Sequence, residues 1–265
     1  MAEGDIVWRV RHRAVTESTN KDALGGEPGD VFTADMQTAG RGRLDHRWLS
    51  PPDENLMMSA VIGVEGMPPE NVATLPLVVG LAVVLAVSAI LQQGDRPCND
   101  CDVQLKWPND VLVRGRKVCG ILCERVGDRV IAGVGLNVNQ TVFAPEIATR
   151  ATSLLLSSQN AAATFPESEL KLPRFCVADV RDAVLESLSK VLTQWRKNGF
   201  SALWPAIAKR DFLKGKAISV FRIDDDAAPL EGVCGGIRLD GSLDVGGDAV
   251  FAGEAHVSCC GGFTI

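Results

Sequence analysis

The chain has 265 residues, 46% of them hydrophobic, which is enough to bury a large core in one or two domains and excludes wholesale disorder. Its net charge of −6 argues against a protein whose main function is to bind nucleic acid. The eight cysteines lack the spacing of a disulfide scaffold and no apolar leader is visible, so we expect reduced thiols and a cytoplasmic location. A zinc site built from Cys98 and Cys101 with Cys259 and Cys260 is the minor alternative.

The first predicted elements are two strands and a short helix. Residues 6–10 alternate weakly, as in an opening strand, and residues 31–34 predict a second one. Between them Ser18, Thr19 and Asn20 precede a short helical stretch at 21–24. These residue types are strong helix N-caps, so capping is the simplest interpretation. The alternative is that their hydroxyls and amide face a polar ligand.

Residues 34–48 read ADMQTAGRGRLDHRW, and their second part, residues 39–48, is called the glycine–arginine loop below. Gly40 and Gly42 allow the backbone to approach a ligand closely. Arg41 and Arg43 can form forked hydrogen bonds to a phosphate or a carboxylate. The segment therefore predicts a loop that folds over an anion, although the same short motif occurs in nucleic-acid-binding tails.

The central part of the chain predicts a buried strand followed by an apolar helix. Residues 55–64 are rich in strand-forming apolar types, and residues 75–91 carry no charge. The second stretch reaches only the lower length limit of a membrane span, and Pro76, Gly80 and Ser88 interrupt it. Because segments with catalytic character flank it on both sides, we interpret it as a central helix buried in the core.

Four further strands are predicted at 103–105, 110–113, 117–125 and 130–137, with a hairpin turn at Arg114 and Gly115. The first of these strands delivers Lys106, and Pro108 then turns the chain. Gly133 and Gly135 in the last strand leave room for a ligand that lies close to the backbone.

The C-terminal part predicts helices and then a small β unit. Residues 155–173 are interpreted as a surface loop, 177–195 as an amphipathic helix, and 201–209 as a shorter helix. Short strands at 216–223, 231–239, 242–245 and 254–258 predict a compact β-barrel. We therefore expect a large domain over 1–210 and a small one over 211–265.

Several of these segments together resemble the catalytic core of biotin protein ligases in residue type, order and spacing. They are the glycine–arginine loop, residues 106–110 (KWPND), residues 117–124 (KVCGILCE) and residues 133–137 (GVGLN). The resemblance implies an α+β fold, in which a mixed β-sheet flanked by helices, similar to class II aminoacyl-tRNA synthetases, precedes an SH3-like barrel. It also implies a form that lacks the N-terminal DNA-binding domain of some members.

The implied reaction joins biotin and ATP into biotinyl-5′-AMP and pyrophosphate, and then transfers biotin to a lysine of a biotin carboxyl carrier domain, with release of AMP. The substrates would be biotin and ATP, with Mg²⁺ implied by the triphosphate and not by any visible ligand cluster. The carrier domain would be the partner of a monomer or homodimer that contacts neither nucleic acid nor a membrane.

The resemblance also implies roles for individual residues. Lys106, Arg43 and Asp110 would be catalytic: Lys106 bridges the biotin carboxylate and the α-phosphate, Arg43 clamps phosphates, and Asp110 orients Lys106, accepts a proton or caps the turn. Trp48 would stack on adenine or anchor the base of the loop. The implied biotin-binding residues are Ser18, Thr19, Asn20, Gln37, Gly40, Arg41, Gly42, Lys106 and Gly120, and the implied ATP-binding residues are Arg43, His46, Trp48, Lys106, Asn109 and Asn137.

The loop departs from the family pattern at two positions. Asp45 replaces a glycine, and His46 stands where a permanent cation is usual. Because histidine is charged only part of the time near neutrality, we expect weaker or more pH-sensitive ATP binding, with Arg47 compensating in part.

Three other functions compete with this interpretation. They are a lipoate ligase or lipoyl transferase with the same catalytic fold, a non-catalytic sensor of biotin or an adenylate, and a nucleic-acid binder that uses the loop arginines. The acidic composition opposes the third.

Overall fold

The computed structural model describes residues 6–44, 46–92, 102–158, 174–222 and 228–258. Asp45 and the four cysteines of the alternative zinc site lie outside these ranges. The described residues form two sheets and six α-helices, an α+β arrangement in which the larger sheet is mixed.

The larger sheet has seven strands in the order β1-β2-β3-β7-β6-β5-β4. The first pair, β1 with β2, is parallel, and every other pair is antiparallel. The strands are β1 (Arg9–Thr16), β2 (Asp30–Gln37), β3 (Asn55–Gly63), β4 (Val103–Lys106), β5 (Asp110–Val113), β6 (Arg116–Val126) and β7 (Arg129–Asn137). The central strand β3 is buried along nearly its whole length, which explains its continuous apolar sequence.

Two long helices cover one face of this sheet. They are α3 (Leu75–Gln92) and α5 (Val177–Asn198), which pack against each other. Gly80 permits the close approach of α3 to the sheet, because a Cβ atom there would lie 2.6 Å from the Leu105 side chain. Within the described part of the chain, α3 is the helix long and apolar enough to cross a membrane, but 72% of it is buried inside the protein. The expected central helix is therefore confirmed.

The shorter helices are α1 (Thr19–Asp22), α2 (Pro69–Ala73), α4 (Leu154–Ser158) and α6 (Trp204–Ala208). The helix expected at 201–209 is a 3₁₀ turn, Phe200–Ala202, followed by α6, because Pro205 stands in the first turn of a new helix. The surface loop expected at 155–173 begins as α4, and residues 159–173 lie outside the described ranges.

The C-terminal residues form a second sheet of five strands in the order β11-β10-β9-β8-β12. The strands are β8 (Ala217–Phe221), β9 (Leu230–Ile237), β10 (Leu243–Val245), β11 (Asp248–Val250) and β12 (Glu254–Val257). The pairings between described strands leave this sheet open, so the closed barrel is not confirmed. Strand β11 was not predicted.

The two sheets are joined through buried polar contacts. The indole N–H of Trp107, in the β4–β5 turn, donates to the carbonyl of Gly241 at 3.1 Å. The carboxylate of Asp211 accepts backbone hydrogen bonds from Leu213 at 2.9 Å and Ile237 at 2.8 Å. Burial raises the pKa of Asp211, and these N–H groups oppose that shift. A domain boundary at residue 210 stays a prediction, since the chain there is bonded to both sheets.

Strand β1 differs from the expected strand at residues 6–10. It begins at Arg9, continues to Thr16, and exposes seven of its eight residues. Because β1 is an edge strand held by parallel pairing to β2, backbone hydrogen bonding and not side-chain burial determines its limits.

Candidate active site

A cavity of about 580 Å³ lies between the glycine–arginine loop, the β4–β5 hairpin, the faces of β6 and β7, and β12. Nearly all the residues that the sequence singled out lie in its wall: Ser18, Thr19, Asn20, Gln37, Arg41, Gly42, Arg43, His46, Trp48, Lys106, Asn109, Asp110, Gly120 and Asn137. Gly40 lies behind the wall, where a Cβ atom would be 2.5 Å from the Trp48 carbonyl oxygen. Segments from distant parts of the chain thus meet at one site.

The glycine–arginine loop is folded back on itself as a tight hairpin. The N–H of Gly42 donates to the carbonyl of His46 at 2.6 Å, and the N–H of Trp48 donates to the carbonyl of Gly40 at 3.0 Å. Leu44, at its tip, has a φ of +48°, a conformation that side chains other than glycine rarely adopt. The glycines allow the two arms of the hairpin to approach each other.

The two loop arginines are held by different parts of the chain. Nη2 of Arg41 lies 2.8 and 2.7 Å from the two carboxylate oxygens of Glu124 on β6. Nη1 of Arg43 donates to the carbonyl of Gly253 at 3.2 Å and to Oδ1 of Asn109 at 3.4 Å. Burial lowers the pKa of Arg43, but an arginine keeps its charge at neutral pH. Arg43 is therefore a half-buried cation between the larger sheet and the C-terminal sheet.

The Trp48 indole occupies the space that glycines leave on the sheet. A Cβ atom on Gly135 would lie 2.5 Å from the indole, and one on Gly120 would lie 3.2 Å from it. We had expected these glycines to make room for a ligand, but Trp48 fills that room here. Its buried indole N–H has no hydrogen-bond partner among the described residues.

The inner end of the cavity is polar and mostly uncharged. Oε1 of Gln37 accepts hydrogen bonds from the Thr19 N–H at 2.7 Å and from its hydroxyl at 3.1 Å. The Gln37 amide therefore keeps its NH₂ group as a donor for a ligand. Ser18 occupies the N-cap position of α1, but its side chain makes no capping hydrogen bond. The simple capping interpretation is therefore incomplete for Ser18.

The other end of the cavity is cationic. Nζ of Lys117 lies 2.7 Å from Oδ1 of Asp110, and Lys106 and Arg150 lie in the same wall. Burial lowers the pKa of Lys106, and the charges of Lys117 and Arg150 add to this shift. The Asp110 carboxylate opposes it. Positive charge concentrated at one end of a cavity is suited to a polyphosphate or a carboxylate.

Two asparagines predicted to bind ATP have structural hydrogen bonds. The amide of Asn109 donates to the carbonyl of Ile121 at 2.7 Å, and that of Asn137 donates to the carbonyl of Thr152 at 3.0 Å. The first bond holds the β4–β5 turn to β6. Their contacts with a nucleotide stay predictions.

Several wall residues were missed at the sequence level, namely Lys117, Arg150, Glu254 and His256. Lys117 begins the KVCGILCE segment, so its signal was present although no role was given to it. The other three lie in stretches without a recognisable motif, and only folding brings them to the site. His46 and His256 lie on either side of Glu254, each with Nε2 3.8 Å from its carboxylate.

Among the described residues no group of three His, Cys, Asp or Glu side chains has the arrangement of a metal site.

Comparison with known sequences places this site in a family. The sequence model of the biotin/lipoate A/B protein ligase family matches residues 9–140, a range that contains the glycine–arginine loop, the β4–β5 hairpin and β7. The chain belongs to this family.

Individual members of the family are similar to the chain over part of its length. It is 40% identical to the biotin–[acetyl-CoA-carboxylase] ligase of Mycobacterium tuberculosis over 149 residues, which cover 54% of this chain and 53% of that protein. It is 30% identical to the bifunctional ligase/repressor BirA of Salmonella typhimurium over 194 residues, 69% of this chain and 57% of the relative. The chain thus spans about half the length of the curated relatives it matches.

Solved structures of the family share the fold over more of the chain. A biotin protein ligase from Aquifex aeolicus in complex with biotin and ATP is 26% identical, with a TM-score of 0.72, and the match covers 93% of this chain and 97% of that one. A Leishmania major biotin protein ligase in complex with biotinyl-5-AMP is 23% identical, with a TM-score of 0.61, over 95% of this chain and 98% of that one. The fold is therefore that of the biotin protein ligases.

Proposed function

We propose that this chain is a biotin protein ligase, which activates biotin with ATP and transfers it to a lysine of a carrier domain. The observation that carries the proposal is the division of one cavity into a polar, largely neutral end and a cationic end. A cyclic urea needs donors and acceptors in one plane, which Thr19, Gln37 and their neighbours supply. The cations at the other end match a carboxylate and a phosphate brought together.

The first step joins these two anions. A carboxylate oxygen of biotin attacks the α-phosphorus of ATP, the bond to the β-phosphate breaks, and pyrophosphate leaves with those electrons. Lys106 and Lys117 screen the repulsion between the carboxylate and the phosphate. Arg43 stabilises the charge that develops on the phosphoryl oxygens. The product is a mixed anhydride, biotinyl-5′-AMP.

The second step transfers biotin. The ε-amine of a carrier lysine attacks the carbonyl carbon of the anhydride, loses a proton, and the bond to the phosphate oxygen breaks to release AMP. Asp110 is the carboxylate in the wall placed beside Lys117, and we assign it either the orientation of the lysines or acceptance of that proton. No nucleophilic side chain is required, because adenylation has already activated the carboxyl group.

The names of relatives support this assignment. The Mycobacterium tuberculosis relative is called a biotin–[acetyl-CoA-carboxylase] ligase, so we infer that the partner here is a biotin carboxyl carrier domain. We further infer that the larger sheet resembles class II aminoacyl-tRNA synthetases, that residues 211–265 form an SH3-like barrel, and that the enzyme works in the cytoplasm. The roles of individual residues belong to the same proposal.

The test is biotin-dependent exchange of labelled pyrophosphate into ATP by the purified chain, with lipoate in parallel. Exchange that requires biotin is the expected result. Exchange with lipoate in place of biotin would keep the fold and change the substrate. Binding of biotin without any exchange would favour the sensor and overturn the ligase proposal.

A further inference from the structure

Four of the polar residues predicted to bind biotin belong to a single hydrogen-bond network, which two other residues complete. Its members, in the order in which they are bonded, are Gln37, Thr19, Ser59, Asn20, Glu124 and Arg41. The network starts at the end of β2, crosses α1, β3 and β6, and ends in the glycine–arginine loop. Ser59 and Glu124 were not among the predicted site residues.

Glu124 joins the two halves of this network. Its Oε2 accepts a hydrogen bond from Nδ2 of Asn20 at 2.6 Å, and the same oxygen lies 2.7 Å from Nη2 of Arg41. The Asn20 side chain is buried, whereas Arg41 is half exposed. One carboxylate therefore connects a buried amide of α1 to the first arginine of the loop. Glu124 itself is not part of the cavity wall.

The charge of Glu124 fixes the direction of the hydrogen bonds that the Asn20 amide makes. A carboxylate only accepts, so the Asn20 amide must direct its NH₂ group to Glu124 and its oxygen to Ser59. The Ser59 hydroxyl, fully buried, then donates to Oδ1 of Asn20 at 2.6 Å. Its oxygen lies 2.7 Å from the Thr19 hydroxyl oxygen, and the Thr19 proton is donated to Oε1 of Gln37. The side chains of Thr19 and Gln37, which line the cavity, are thereby connected to a carboxylate outside its wall.

The backbone is adapted to the same arrangement. A Cβ atom on Gly133 of β7 would collide with Oδ1 of Asn20, so only glycine there leaves space for the amide in its observed position. The space beside Gly133 is thus used by the network and not by a ligand directly.

We propose that Glu124 is a positioning residue for biotin recognition: it holds the Asn20 amide and the Arg41 end of the loop so that the urea-binding groups are organised before biotin arrives. This inference rests on the proposed function. Preorganisation of this kind raises affinity by reducing the ordering cost of binding. It predicts a defect in biotin affinity that exceeds any defect in the chemical step.

The test compares Glu124→Gln with wild type and with a matched control, Glu186→Gln. Glu186 is also paired with a cation, Lys190 at 2.6 Å, but it lies on the exposed face of α5. Biotin binding to the purified chain is measured by calorimetry without ATP. We expect Glu124→Gln to bind biotin about tenfold more weakly, as expected when a charge-assisted hydrogen bond is lost, and the control to bind like wild type.

Steady-state kinetics distinguish positioning from a general structural effect. Positioning raises the KM for biotin by a similar factor while kcat and the KM for ATP change by less than about twofold. A merely structural role would lower the melting temperature and the active fraction, and would leave the biotin KM unchanged. In an Asn20→Ala background the effect of Glu124→Gln on affinity should largely disappear, since the two residues act through one bond.

The two proposals fail differently. Wild type that binds no biotin would overturn both of them. Wild type and Glu124→Gln binding biotin equally, or a Glu124→Gln effect that persists undiminished in the Asn20→Ala background, would overturn this one alone.

Discussion

The indole of Trp48 is packed against the backbone of Gly135, so closely that a Cβ atom there would lie 2.5 Å from Cε2 of the indole. Trp48 ends the glycine–arginine loop and Gly135 lies on β7, so the contact holds one end of the loop to the sheet. The position of the loop therefore depends on the absence of a side chain on the sheet.

Gly135→Ala should displace Trp48 and shift the loop. We expect biotin-dependent pyrophosphate exchange to fall about tenfold or more, because small misplacements of a site-forming segment have large effects on rate. The control is Gly25→Ala, where a Cβ atom would meet nothing within 4 Å. Equal loss of activity in the two variants would show that Trp48 is not held by this contact.

The two lysines at the cationic end can be separated by substitution. Lys106→Gln should lower kcat for exchange by about a hundredfold, as removal of a group that stabilises developing charge does. Lys117→Gln also removes the partner of Asp110, so we expect loss in both half-reactions. Lys190→Gln, on the exposed face of α5, is the control. If Lys117→Gln abolishes exchange and Lys106→Gln does not, the bridging role belongs to Lys117.

The buried charge of Lys106 should also reduce the stability of the folded protein, by an amount that depends on pH. Burial lowers its pKa in the folded state, so below that pKa the folded protein carries a charge that costs free energy. As pH rises from the folded pKa towards the ordinary lysine value, the folded state releases the proton first and stability increases. We therefore expect Lys106→Met to be inactive but to melt at a higher temperature than wild type at neutral pH. The difference should shrink at alkaline pH, and a lower melting temperature for the variant would contradict the prediction.

His46 lies beside a carboxylate of the cavity wall. Its Nε2 lies 3.8 Å from the Glu254 carboxylate, and Arg43, Lys106 and His256 also face this carboxylate. Burial, followed by the nearby Lys106 charge, lowers the pKa of His256, which therefore contributes little positive charge near neutrality.

Because arginine carries a permanent charge, His46→Arg should lower the KM for ATP between about pH 6 and pH 8. The measurement is the ATP KM of both proteins across this range, with biotin saturating. A KM that is the same in both proteins at every pH would remove His46 from nucleotide binding.

Much of the larger domain follows from local sequence. The limits of β3, α3 and β7 were predicted to within about two residues, since runs of apolar residues between turns determine strands and helices buried in a core. The edge strand β1 and the short strand β11 of the C-terminal sheet were predicted less well. Most of their residues are exposed, or the strand is too short to show an alternation of apolar and polar residues. Pairing with a neighbouring strand, and not side-chain burial, therefore determines where these strands begin and end.

The sequence by itself determined which residue types the site contains. In the glycine–arginine loop and in the KWPND segment the functional residues are neighbours in the chain, so a local motif is enough to identify them. Tertiary structure decided which groups are available to a ligand. The amide of Asn20 is occupied by Glu124 and Ser59, and the space at Gly135 is occupied by Trp48. Such pairings join residues far apart in the chain, and no local pattern records them, since each depends on how strands are ordered in the sheet and which faces meet.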